Sequence, residues 1–268
     1  MDFSSQTVTF KCPDGTDMTA YVVRPEPEAQ YPAIIVVHEA WGLNQQIKGV
    51  CDRYAKEGFT VVAPHLFSRE KDLTERAIEK AMMQMWRIPP EKRNDPVAIQ
   101  TLISSLSENE RKVVNFFFTG REKAEKTMAE DLLCCVNYAK TLKTVDGERL
   151  GITGFCLGGG LSYQLATKYP FTAVVPFYGA NPKPLDEVAK ISGPVFGIYA
   201  GEDVRITCGV SALVEAMILN KKTFQMKIYQ GTQHAFFNEN RPSYNKAAAE
   251  DAWTMAVAFF NHYLKAPK

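Results

Sequence analysis

Two hydrophobic periods divide this chain. Residues 7–11 and 19–23 alternate apolar and polar positions, and a short link, Cys12-Pro-Asp-Gly-Thr16, separates them. Period-two runs flanking a Pro/Gly turn predict an antiparallel hairpin at a sheet edge. Then come short, mostly apolar runs at residues 32–38 (Pro-Ala-Ile-Ile-Val-Val-His), 58–63, 171–177 and 193–200, and a last strand is expected over 224–229. Such runs predict strands buried on both faces. Between them the period lengthens to that of a helix. Ile47, Val50, Cys51 and Tyr54 share one face of 46–58, and Leu161, Leu165 and Tyr169 share one face of 157–169. Residues 121–142, 207–219 and 243–264 show the same spacing, the last through Ala248, Ala252, Met255, Phe259 and Tyr263. Strands alternating with helices predict an α/β fold, a mostly parallel, doubly wound sheet, and residues 145–148 are expected to turn into the strand before residue 154.

Residues 68–120 break this rhythm. They are charged, Met-rich and helix-biased, with helices expected over 73–86 and 96–118 and a break at Pro89-Pro90. They form a helical insertion, expected at the C-terminal edge of the sheet within a single domain spanning 1–268. Met82, Met83, Met85 and Trp86, with Phe116, Phe117 and Phe118, are candidates to line a pocket. Ordinary packing of apolar helix faces is the competing expectation.

Composition narrows the classes. The chain has 268 residues, 46% hydrophobic, enough to bury a full core. Lys+Arg 31 against Asp+Glu 30 leaves a net charge of +1, which offers no basic surface for nucleic acid or membrane. The start is polar, with no signal-peptide core, and no long apolar run suggests a membrane span, so a cytoplasmic location is expected. Cys12, Cys51, Cys134, Cys135, Cys156 and Cys208 lack a Cys-x-x-Cys pair and are expected to be free thiols in a reducing compartment.

The chemistry centres on Leu150-Gly-Ile-Thr-Gly-Phe-Cys-Leu-Gly-Gly-Gly160. A strand, a tight turn and a helix meet there, with glycine two residues before and two after Cys156. That is the nucleophile elbow of the α/β-hydrolase fold with a thiol at its apex. The helix N-terminus beside the sulfur favours a thiolate. A thiol nucleophile needs a base, and in this fold the order is nucleophile, acid, histidine. Of the two histidines after Cys156, His234 follows the last strand, whereas His262 lies within the closing helix. The acid comes from Gly201-Glu-Asp203: Asp203 is preferred, with Glu202 open. The N–H of Leu157 and that of Ala40, in the loop after the early central strand, are candidates for an oxyanion hole. His38-Glu39 is not a zinc-protease motif, because position 42 is Gly, and no metal or cofactor is implied.

Together, Gly154-Phe-Cys-Leu-Gly-Gly159, His38-Glu39-Ala-Trp-Gly42, Gly201-Glu-Asp203 and Gly-Thr-Gln-His234-Ala-Phe resemble the dienelactone hydrolase (carboxymethylenebutenolidase) family, across roughly residues 7–264. The resemblance implies a Cys156-His234-Asp203 triad and a small-molecule ester or enol-lactone substrate. It also implies that Glu39 contacts the resting thiol and helps to generate the thiolate. Family substrates carry a carboxylate, for which Arg241, Arg87 and Arg205 are candidate partners, with Trp41 a further candidate pocket residue. A non-catalytic ligand-binding or sensor protein on the same scaffold is the alternative, and a redox thiol a third reading. Oligomeric state is not legible.

Overall fold

The central strand β3 (Tyr31–Val37) shows why the sheet is covered on both sides. Ala33, Ile35 and Val37 point into one hydrophobic layer, Ile34 and Val36 into the other, and all five are fully buried. Side chains alternate along a strand, so an unbroken apolar run needs an apolar layer on each face. The computed structural model describes every residue except Lys71, Pro90, Glu91, Arg93, Asn94, Pro267 and Lys268, and the side chains of Trp86, Phe118 and Thr119 also lie outside the described set. The expectations placed on Pro90, Trp86 and Phe118 therefore fall outside it.

Strands β1 (Phe3–Lys11) and β2 (Asp17–Pro25) form the edge hairpin, from Phe3 opposite Pro25 to Lys11 opposite Asp17. β2 runs antiparallel to β4 (Thr60–Pro64), and every further neighbour is parallel: β3, β5 (Val145–Phe155), β6 (Ala173–Phe177), β7 (Val195–Ala200) and β8 (Phe224–Tyr229). The order across the sheet is β1-β2-β4-β3-β5-β6-β7-β8. The chain thus has the mixed eight-stranded sheet of the α/β-hydrolase fold. Residues 145–148, expected to turn, are instead the start of β5, where Val145 pairs with Tyr31.

Helices α1 (Gln45–Lys56) and α9 (Lys246–Lys265) cover one face with Ile47, Tyr54, Ala252 and Phe260. The other face is covered by α5 (Arg121–Thr141), α6 (Leu157–Ala166) and α8 (Val210–Leu219), through Leu132, Leu165 and Leu213 among others. A one-turn helix α7 (Val204–Thr207) precedes α8, where a single helix was expected. The insertion follows β4 and contains α2 (Glu75–Trp86), α3 (Pro96–Ser105) and α4 (Glu108–Val114), then a π turn at Asn115–Thr119. The helix expected over 96–118 is broken because Leu106 is extended and Ser107 starts a new capping box with Glu110. Ile78, Ala81, Met85, Val113 and Val114 join the core, and Phe67 meets the rings of Phe116 and Phe117 edge-on at 5.6 and 5.7 Å. Met82 packs partly on the core and Met83 is 55% exposed, so this group is mostly ordinary packing. Among the described residues, no helix is long and apolar enough to cross a membrane.

The cysteines correct the expectation of six free thiols: Cys12 and Cys134 form a disulfide, with Cα atoms 5.7 Å apart. The partners lie 122 residues apart, in the β1–β2 turn and on α5, so no local motif announces the pair. A second tie runs alongside. Arg69 donates to buried Asp131 on α5, at 2.6 Å from Nη2, and through Nη1 to Asp14 and Thr16 of the same turn at 2.7 and 2.6 Å. Closing so long a loop restricts the unfolded chain, so Cys134→Ser is expected to cost about 2–5 kcal/mol of stability. Urea denaturation of oxidised, reduced and mutant protein checks this, and coincident midpoints would show that the bridge contributes nothing.

Candidate active site

The elbow lies between β5 and α6. Cys156 has φ 56°, a conformation disfavoured for a residue with a Cβ. Its N–H donates to Phe177 O at 3.0 Å and its carbonyl accepts from Gly160 N at 3.1 Å, which holds the backbone in this turn. The flanking glycines are steric requirements. A Cβ on Gly154 would sit 2.2 Å from Gly158 O, and one on Gly158 would sit 2.3 Å from Val37 O and 2.6 Å from His38 O. The second contact also shows that the first turn of α6 abuts the end of β3. The loop carrying Glu39, Ala40 and Trp41 thereby borders the thiol. Leu157 opens α6, so its N–H has no partner within the helix.

His234 and Asp203 come from adjacent loops after β8 and β7. Those loops are laced together: Gly201 N donates to Tyr229 O at 2.8 Å and Glu202 N to Thr232 O at 2.9 Å. Asp203 is buried and accepts from His234 Nδ1, whereas Glu202 is exposed. Ala235, at φ 64°, turns the chain directly after His234. Among the described residues, the buried Nε2 of His234 has no close hydrogen-bond partner, though Cys156 acts on the ring. Burial alone would lower this imidazole. The charge of Cys156 and the bond to Asp203 outweigh it and raise the group from 6.5 to about 10. Asp203 thus holds one side of the imidazole, and the charge of Cys156 acts on the ring.

Glu39 is only 2% exposed. Its Oε1 accepts from the Tyr178 hydroxyl at 3.2 Å and its Oε2 from Asn238 Nδ2 at 2.5 Å. Burial raises this carboxyl; the Asn238 bond and the charges of His234 and Arg241 oppose the rise. The family resemblance implied contact between Glu39 and the resting thiol, but the hydrogen bonds described here go to Tyr178 and Asn238. Tyr178 stands where β6 ends, with φ 38°, and its ring centroid is 5.0 Å from that of His234. Asn238 lies four residues past His234. Neither was singled out from the sequence. The available signal was topological, since β6 adjoins β5 and its C-terminal end must face the elbow.

His38 is a fixture of the scaffold. Leu66 N donates to its Nε2 at 3.0 Å, which leaves Nδ1 to donate to Glu39 O at 2.6 Å. Burial lowers it to about 3, so the ring is neutral. Among the described residues, no group of three His, Cys, Asp or Glu side chains is placed to hold a metal ion.

Of the candidate cations, Arg241 reaches this region. Its guanidinium lies 3.6 Å from the Trp41 ring centroid, its charge acts on Glu39, and its buried Nε makes no hydrogen bond among the described residues. Arg87 is exposed and donates to Gln84 on its own helix at 2.9 Å, and Arg205 is exposed on α7. No described hydrogen bond or ion pair links either to Glu39, Cys156 or His234.

Comparison with known proteins agrees with this architecture. The profile of the Dienelactone hydrolase family matches residues 18–264. A protein of Saccharolobus solfataricus named "Putative carboxymethylenebutenolidase" is 43% identical over 253 residues, covering 94% of this chain and 96% of that one. A protein of the same name from Escherichia coli is 29% identical over 264 residues, covering 93% and 84%. A crystal structure from Klebsiella pneumoniae, described as "Putative Dienelactone Hydrolase", superposes with a TM-score of 0.75 at 26% identity over 98% of this chain and 100% of that one. The dienelactone hydrolase of Anabaena variabilis, at 14% identity and a TM-score of 0.65 over 98% and 99%, shares the fold. With its profile match and a 43% identical relative each spanning nearly its whole length, this chain is a hydrolase that belongs to the dienelactone hydrolase family.

Proposed function

We propose that this hydrolase cleaves an ester or enol-lactone through an acyl-enzyme on Cys156. The observation that carries the reading is the pairing of His234 with buried Asp203 beside a thiol held at a strained elbow. The thiol gives its proton to Glu39, beside His234 held as the imidazolium, and the sulfur attacks the substrate carbonyl. The C=O π bond becomes an oxyanion, which the N–H groups of Leu157 and Ala40 receive. Collapse breaks the acyl C–O bond, and His234 protonates the departing oxygen. Water, deprotonated by His234, then attacks the thioester; the C–S bond breaks and the thiol is restored. Asp203 fixes the tautomer of His234 throughout. Arg241, stacked on Trp41 with its Nε unused, supplies a cation for a carboxylate on the substrate.

The test is hydrolysis of a dienelactone beside p-nitrophenyl acetate, with acid-quenched samples examined by mass spectrometry. The expected result is dienelactone turnover and an acyl adduct mapped to Cys156. Turnover of the simple ester alone, with the adduct, keeps the mechanism and redirects the substrate class. Tight dienelactone binding with neither turnover nor adduct would replace this reading by a ligand-binding role.

A further inference from the structure

The turn that carries His234 also carries a partner for Glu39. Within four residues the chain presents an imidazole to Asp203 and an amide to Glu39. The orientation of that amide is settled by its own surroundings. Asn238 Oδ1 accepts the N–H of Asn240 at 3.0 Å, and Nδ2 therefore faces Glu39 Oε2. The side chain is 1% exposed, and its backbone is held as well, with N donating to Ala235 O at 3.0 Å. An amide N–H donates and cannot accept. A hydroxyl can do either, and Tyr178 is the partner of Glu39 Oε1.

We propose that Asn238 is a positioning residue for Glu39: its amide keeps Oε2 as an acceptor, so any proton that Glu39 takes up resides on Oε1, beside Tyr178. This deepens the function proposed above and rests on its use of Glu39. When Glu39 takes the thiol proton, the S–H bond of Cys156 breaks and an Oε1–H bond forms, leaving a thiolate and a neutral acid. Tyr178 then turns its hydroxyl from donating to accepting. Asn238 donates to Glu39 in both states but more strongly to the anion. It holds the carboxyl in the ionised, proton-accepting form without setting a second fixed cation against it. The titratable and charged groups that act on Glu39 are His234 and Arg241 from the segment after β8 and Tyr178 after β6, with Cys156 acting on Tyr178 from the elbow.

The test follows the protonation of Glu39 directly, by infrared difference spectra across pH. The carboxyl band is assigned by its loss in Glu39→Gln, and kcat/KM is measured over the same range. In Asn238→Leu the Glu39 midpoint is expected to rise by about one pH unit or more, the equivalent of one charge-assisted hydrogen bond. In Asn238→Asp, where two carboxyls face each other, it should rise further. Tyr178→Phe should move it less, since the hydroxyl serves both protonation states. A midpoint unmoved in a folded Asn238→Asp protein would overturn the proposal. So would a Tyr178→Phe shift as large as that of Asn238→Leu. If the midpoint moves as expected while the acidic limb of kcat/KM stays put, Asn238 does position Glu39, and it is the role of Glu39 in activating the thiol that falls.

Discussion

Cys156→Ala is expected to lower kcat/KM by roughly 10⁴-fold or more, the scale seen when the nucleophile of a triad is removed. The substitution isolates the sulfur. Alanine keeps the Cβ, so the residue meets the same disfavoured φ of 56° and the elbow keeps its hydrogen bonds to Phe177 and Gly160. The glycine contacts that let α6 abut β3 are untouched. Loss of activity with an unchanged denaturation midpoint would therefore report chemistry rather than folding. Residual hydrolysis should come from the oxyanion donors and from substrate positioning alone. Activity within tenfold of wild type would remove Cys156 from the mechanism and, with it, the acyl-enzyme.

Asp203→Asn is expected to cost roughly 10³–10⁴-fold in kcat, with KM changed little. An amide in place of the carboxylate no longer fixes the His234 proton on Nδ1, and it removes the negative charge that stabilises the imidazolium. The matched control is Glu202→Gln. Glu202 is exposed and Asp203 buried, so the control should stay within about threefold of wild type, because an exposed charge is screened by solvent. Steady-state kinetics on both variants decides between the two acids. A larger loss in Glu202→Gln than in Asp203→Asn would reverse the assignment. With Asp203 replaced, the rise of His234 to about 10 loses one of its causes, and the ring should titrate lower.

What the sequence revealed and what it hid follow the range of the forces involved. The buried run of β3, the glycine-flanked thiol and the helical faces are local patterns, and each was readable without neighbours. The pairing of Asp203 with His234 was anticipated from the order nucleophile, acid, histidine along the chain and from the family resemblance. Tyr178 and Asn238 could not be singled out, since their significance is a shared contact with Glu39, across 139 and 199 residues of sequence. The Cys12–Cys134 pair was missed for the same reason. The start of β5 was misread because Asp146-Gly147 has turn composition, yet pairing of Val145 with β3 overrides it. The break at Leu106 carried a local signal, Ser107 with Glu110, which the continuous apolar spacing masked.

The Cys12–Cys134 bridge bears on how the protein withstands cleavage. Its partners enclose β2, β3, β4 and the entire insertion. A protease that nicked the chain within α3, where Val97 is 73% exposed, would divide the sequence but not the molecule. The amino-terminal fragment, carrying Glu39, and the carboxyl-terminal fragment, carrying Cys156, Asp203 and His234, would stay covalently joined. They would migrate as one species on a gel until a reductant parted them.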